Sequence, residues 1–228
     1  DDSTSWIQWC RADHEPDSRA IGWIYEWPDG LREPKELQRS GLRGLSISKF
    51  DQVETAVDYA LQYGLELLIL DGAECLGGCE GELNNQPRFD LLPLAVETLR
   101  RKREEETLTL VYSGGVRSGT DAAKLIAMGA SAVVYGIAAA MAMGGVIDTN
   151  SITYQSDRTV EERALGLQAL LKANAGEASM MARCTGKTRL HNLEPEDLRA
   201  VTITTSETTR IPLVGHQRED MDFDGVTA

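Results

Sequence analysis

The chain has no long hydrophobic run, no surplus of positive charge, and few histidines or cysteines, and each scarcity removes a class of function. No stretch approaches the roughly 18 uninterrupted apolar residues that a membrane span needs. The opening DDSTSW has neither the basic region nor the apolar core of a secretion signal, so a soluble, cytoplasmic protein without membrane association is expected. Thirty-six acidic residues against 23 basic ones give a net charge of −13 with no basic cluster, which repels a polyanion. Nucleic acid is therefore not expected as a partner. Cys10, Cys75, Cys79 and Cys184 are too few and too scattered for a disulfide framework, so reduced thiols are expected. Cys75 and Cys79 form one C-x3-C pair, but two ligands without a companion pair, in a chain with three histidines, do not make a zinc site. No metal is expected. His14 and His216 stand in irregular segments, and no Ser-His-Asp or paired-carboxylate arrangement follows from spacing.

What is present is a tandem repeat. In LTLVYSGGVRSGTDAAKLIAMGASAVVYGIAAAMAMGG, from Leu108 to Gly145, two short apolar runs each end near glycine and each lead into an alanine-rich helical stretch. Gly114 and Gly115 leave one loop free of side chains, and Gly136 does so one unit later. Backbone N–H groups at two neighbouring helix starts can then converge, as a phosphate site requires.

The same grammar runs back to Gly44. Leu45 to Ser48 reads as a strand, and Val53, Ala56, Val57, Ala60 and Leu61 at helical spacing read as a helix ended by Gly64. Leu65 to Leu70 is a continuous apolar run, as a parallel strand covered on both faces would be. The long loop DGAECLGGCEGELNNQPRF follows, suited to a lid or substrate loop. Leu91 to Arg103, Thr120 to Met128 and Ala138 to Met143 complete the helices, with strands at Thr107 to Tyr112 and Ser131 to Tyr135 between them.

The flanks differ. Residues 1–42 hold all four tryptophans with Pro16, Pro28 and Pro34 and read as irregular, with Ala20 to Glu26 as the sole candidate strand. Their aromatics are expected to cover a face of the following domain or of a partner chain. Beyond Gly145, two successive helices are expected around Leu167 and Met181, then a short helix from Pro195 to Val201. The chain thus divides into 1–42, a domain at 43–201, and a polar tail at 202–228.

SGGVRSGTDAAKLIAMGASAVVYGIAAAMA resembles the last two βα units of FMN-dependent TIM barrels, and ARCTGKTRLHNLEPEDLRAVT resembles the segment that follows the FMN barrel in the glutamate synthase family. The resemblance covers roughly Leu45 to Val201. It implies an α/β fold in which parallel βα repeats form the C-terminal half of such a barrel, followed by helices. It also implies FMN as cofactor, its phosphate held by Ser113, Gly114, Gly115, Arg117, Gly136 and Ile137. Ile137 stands where a threonine is common in that family. The family's catalytic lysine falls on Ser46, leaving Lys49, three residues on, as the weak catalytic candidate beside its plain reading as a solvated lysine. No cysteine follows Gly145 until Cys184, so the family's iron–sulfur cluster has no ligands here. His191 matches a family histidine and is expected to cap or pack.

A closed barrel of this type needs eight strands and about 250 residues. With four units after Gly44 and at most one strand before it, an open sheet is expected, its inner face and edges exposed. A second subunit or a second copy is the expected partner completing it. The function implied is reduction of an imine such as 2-iminoglutarate to an amino acid. The alternatives are a degenerate half-barrel acting as a binding subunit, and another phosphate-binding barrel enzyme.

Overall fold

In the computed structural model, residues 5–10, 17–27, 41–74, 81–154 and 157–217 are described. His14, Pro16, Pro28, Pro34, Cys75 and Cys79 lie outside them.

Six parallel strands stand side by side in chain order, β1 (Ile7–Cys10), β2 (Gly22–Glu26), β3 (Leu42–Ile47), β4 (Leu67–Asp71), β5 (Thr109–Ser113) and β6 (Ala132–Val134). Sequential parallel order is what repeated βα crossovers produce, and the sheet curls into half of a barrel. Between them run α1 (Val53–Gln62), the short α2 (Gly81–Asn84), α3 (Leu91–Lys102) and α4 (Gly119–Ala127), and after β6 comes α5 (Ile137–Ala142).

Register decides the layers. Cys10, Tyr25, Leu45, Leu68 and Leu110 lie in one cross-strand row, and Ile47, Leu70, Tyr112 and Val133 in the next of the same parity. These rows form the main core with Val53, Ala56, Val57 and Ala60 of α1, Leu91, Leu92, Ala95 and Leu99 of α3, Leu125 of α4 and its C-cap Met128. Side chains of opposite parity face the barrel interior, because successive strand residues alternate faces. There Ile24, Ile69 and Val111 form their own cluster with Trp9, Leu67 and Val134 packed against it.

Several expectations change. β2 is the strand expected within Ala20 to Glu26, and β1 adds a second one ahead of it, so the first 42 residues supply two strands of the sheet. Ile7–Cys10 was too short a run to be read as a strand; its pairing with β2 makes it one. Trp23 is a core residue whose Nε1–H donates to the Asp17 carbonyl at 3.2 Å, and Trp27 meets Tyr59 edge-on at 5.3 Å between ring centroids. The inner face is not laid open either. Ile24, Ile69 and Val111 are 3, 6 and 9% exposed, while Ile7 at the β1 edge is 45% exposed.

Past α5, a hairpin of β7 (Gly145–Asp148) and β8 (Ser151–Tyr154) precedes a single helix, α6 (Val160–Cys184), where two helices were expected. Small residues explain its uninterrupted course. Ala178 and Ala182 pack on Ala123 and Ala127 of α4, and a Cβ at Gly166 would stand 2.1 Å from the Ala142 carbonyl oxygen, so glycine permits α6 to cross the end of α5. The helix expected from Pro195 to Val201 is one 3-10 turn, Pro195–Asp197.

The expected tail is folded through residue 217, with α7 (Ile203–Thr209) capped by Thr202. Its hydroxyls look polar in sequence, yet Thr208 and Thr209 donate to carbonyls one turn back and buried Ser206 donates to the Ile211 carbonyl at 2.7 Å. No helix among the described residues is long and apolar enough to cross a membrane.

Candidate functional site

The carboxyl ends of parallel strands leave loops and helix starts pointing the same way, which is where barrel folds place ligands. Here the loops after β4, β5 and β6 meet. Asp71 ends β4 and Ser113 ends β5; they are register partners, both buried, and the Gly72 N–H donates to the Ser113 carbonyl at 2.8 Å.

The two glycines after β5 serve close approach of the neighbouring loop. Gly114 has φ +118°, and a Cβ there would lie 2.9 Å from the Ala73 nitrogen; Gly115 has φ +70°, and a Cβ would lie 2.4 Å from Pro87 Cγ. Both conformations favour glycine. The returning limb of the β4 loop is held by Asn85 Nδ2–H on the Ala73 carbonyl at 3.1 Å, the Arg88 N–H on the Gly72 carbonyl at 2.8 Å, and the Tyr112 hydroxyl on the Arg88 carbonyl at 3.3 Å.

The start of α4 is capped by carboxylates of this chain. Ser118 and Asp121 form a reciprocal capping box, with the Arg117 and Ser118 N–H groups donating to Asp121 Oδ2 at 3.2 and 3.1 Å. Glu177 reaches across from α6: its Oε2 accepts the Gly119 N–H at 2.9 Å and its Oε1 accepts the Thr120 hydroxyl. The Thr120 and Gly119 bonds hold the Glu177 carboxyl below the ordinary glutamate range. Tyr135 closes this corner, its hydroxyl donating to the Ser118 carbonyl at 3.4 Å, and burial pushes its phenol up.

The start of α5 is also occupied by a carboxylate. Glu82 of α2 is 8% exposed, and its Oε2 accepts the Ile137 N–H at 3.3 Å. A Cβ on Gly136 would stand 2.1 Å from Glu82 Oε1. The backbone at Gly136–Ile137 is therefore shaped for an anion, since the N–H already holds a carboxylate oxygen and glycine is what lets it come so near. That donor chemistry fits a phosphate as well as a carboxylate.

Ser113, Gly114 and Gly115 meet Gly72, Ala73 and Pro87 of the β4 loop, and Gly136 and Ile137 meet Glu82 of the same loop. Arg117 and Lys49 differ: both are exposed, and neither side chain makes an ion pair or hydrogen bond among the described residues. Lys49 precedes the 3-10 turn Phe50–Gln52 that opens α1. Ser46, aligned with the family lysine, is fully buried with no partner for its hydroxyl among the described residues. His191 is exposed, its Nε2 lying 3.0 Å from the Ser131 carbonyl oxygen. Among the described residues no three His, Cys, Asp or Glu side chains converge on a metal position.

Sequence reading missed Glu82, Glu177 and Asp121. Asp121 carries a local signal, an acid three residues after Ser118. Glu82 and Glu177 carry none.

Residues 85–149, which include both glycine loops, match the family model described as FMN-dependent dehydrogenase. A glutamate synthase large subunit-like protein of Rhizobium meliloti (strain 1021) is 33% identical over 191 residues, covering 68% of this chain and 43% of the relative. The chain thus spans under half of that relative's length. Among solved structures, a flavocytochrome b2 variant with pyruvate bound superposes with a TM-score of 0.61 at 15% identity, covering 100% of this chain and 61% of that one. The flavin-binding domain of baker's yeast flavocytochrome b2 does so with a TM-score of 0.53 at 18% identity, covering 85% of this chain and 42% of that one. At these identities the superpositions speak for the fold alone.

Proposed function

We infer, for a chain that holds half of an FMN-binding α/β barrel of the glutamate synthase-like kind, a role in flavin-dependent reduction of an imine to an amino acid. The observation that carries the reading is the anion-accepting backbone at Gly136–Ile137 beside the glycine loop after β5, inside the segment matched by the FMN-dependent family. Ser113, Gly114, Gly115, Gly136 and Ile137 would hold the flavin phosphate by backbone donors at helix starts, and the exposed Arg117 guanidinium would add a full charge.

Bound FMN, once reduced by an external two-electron donor, would supply a hydride for the imine carbon of a substrate such as 2-iminoglutarate, whose nitrogen takes a proton. The chain's own part is to bind and orient that group. The matching relative's name, a large subunit-like protein, supports a second subunit as partner.

One observation favours a second reading, a half-barrel kept for binding. Ser46 replaces the family lysine with a buried neutral hydroxyl, and Lys49 is exposed on the turn into α1, so no described side chain brings a cation to the flavin from β3.

An absorbance spectrum of the protein as isolated, FMN titration by fluorescence quenching, and the mass in solution test these readings. Flavin bands or quenching, with imine reduction once the barrel is complete, support the first. FMN uptake without turnover supports the second, and no uptake alone or with its partner removes both.

A further inference from the structure

The flavin reading uses the loops after β5 and β6 and leaves the inner wall of the half-barrel without a role. By register, the inward positions of the six strands include no lysine, arginine or histidine, and their only charged residues are Glu26 and Asp71. Asp71 is engaged within the chain. Glu26 is half-buried, and its carboxylate makes no hydrogen bond or ion pair among the described residues.

Beside Glu26 stands a second group without a partner. Glu26 ends β2 and is the register partner of Ser46 on β3, on strands roughly 4.8 Å apart. Ser46 is 0% exposed, and its hydroxyl has no hydrogen-bond partner. An orphaned buried hydroxyl costs stability and calls for a partner from outside the fold. Both residues share the parity of Ile24, Ile69 and Val111, the apolar cluster of the inner face, and Ser46 pairs with Ile69 on its other side.

We propose that Glu26 and Ser46 hold the nitrogen of the substrate, as a primary ammonium or a protonated imine. The Glu26 carboxylate supplies the opposite charge, and the Ser46 hydroxyl oxygen accepts an N–H. Next to apolar side chains such a charge pair is stronger than in water. A metal ion does not fit, because no three His, Cys, Asp or Glu side chains converge among the described residues. The pair lies near the carboxyl ends of β2 and β3, the end at which the glycine loops turn and at which barrel folds bind ligands. Assigning the nitrogen to the reacting substrate rests on the flavin reading above.

The test compares L-glutamate with glutarate, which has the same carbon chain and both carboxylates but no amino group. Each is titrated by calorimetry into the protein as isolated, as wild type, Glu26→Gln and Ser46→Ala, with FMN titration and circular dichroism alongside. Wild type is expected to prefer glutamate. Glu26→Gln keeps the size and removes the charge, so glutamate is expected to weaken about tenfold while glutarate changes less than about twofold. Ser46→Ala is expected to weaken glutamate about threefold, and to melt no lower than wild type, because the hydroxyl it removes has no partner in the fold. No preference for glutamate in wild type, equal shifts of the two ligands, no shift in Glu26→Gln, or a lower melting temperature in Ser46→Ala would overturn the proposal. FMN uptake would leave the flavin reading standing in each of those cases. A glutamate preference that Glu26→Gln abolishes, in a protein that takes up no FMN, would remove the flavin reading and leave the pair as an amine site.

Discussion

The starts of α4 and α5 face the same junction and are both met by a carboxylate of this chain, but they are met in different ways. At α4 the cap is multiple: Ser118 and Asp121 from the helix itself, and Glu177 from α6 with bonds to the Gly119 N–H and the Thr120 hydroxyl. At α5 the Ile137 N–H donates to Glu82 Oε2, from the β4 loop, at 3.3 Å. The first is framework that ties two packed helices together. The second joins a loop to a helix start.

Adding one methyl to each glycine exposes the contrast. At Gly119 a Cβ would stand 2.2 Å from the Asn174 carbonyl oxygen and 2.7 Å from the Ala178 nitrogen, both backbone atoms of α6 that can yield only if the helix moves. Gly119→Ala is expected to cost about 3 kcal/mol as an overpacking change, lowering Tm by roughly 6–12 °C in calorimetry. A Tm within a degree of wild type would mean that α6 is not seated on α4 as described.

Next in size is Ser118→Ala, which removes the hydroxyl that accepts the Asp121 N–H at 3.1 Å. A loss of about 1 kcal/mol in urea unfolding is expected, the usual worth of such a cap. A loss well below that would show that Glu177 alone suffices.

Glu177 itself is read through pH. Its carboxyl is held below the ordinary range in the folded chain, so its stabilisation is complete above the unfolded value, about 4.3, and disappears as pH falls through the lower folded value. Wild type should therefore lose more stability than Glu177→Gln between pH 5 and acid, measured as the change in urea midpoint. The group is half-buried and still screened by water, so the difference is expected to be small, and parallel profiles would cancel the assignment.

Smallest for stability is Gly136→Ala. The obstacle is the far end of the Glu82 side chain, which can rotate, and a cost under about 1 kcal/mol is expected, set against the 1–3 typical of overpacking. FMN affinity should nonetheless fall more than tenfold, because the methyl fills the space in which an anion meets the Ile137 N–H. Unchanged FMN binding would move the phosphate elsewhere.

How much of this was legible in sequence depends on the range of the contacts. α1, α3 and α4 were readable because helical spacing of apolar residues is a local property, and β3 to β6 because short apolar runs alternated with those helices. β1 was not, since IQWC becomes a strand only by pairing with β2. Nor was α7, whose threonines and serines look like a tail until their hydroxyls find carbonyls four residues back. The glycines of the two loops were legible because a turn from strand to helix marks itself.

The sequence by itself determined the alternating strand and helix pattern and the glycine elbows after β5 and before α5. Only the tertiary structure decided what stands at the helix starts, because the Glu82 contact joins residues 55 apart and the Glu177 contact residues 58 apart. Loop conformation and helix packing bring those carboxylates in, and no local spacing encodes them.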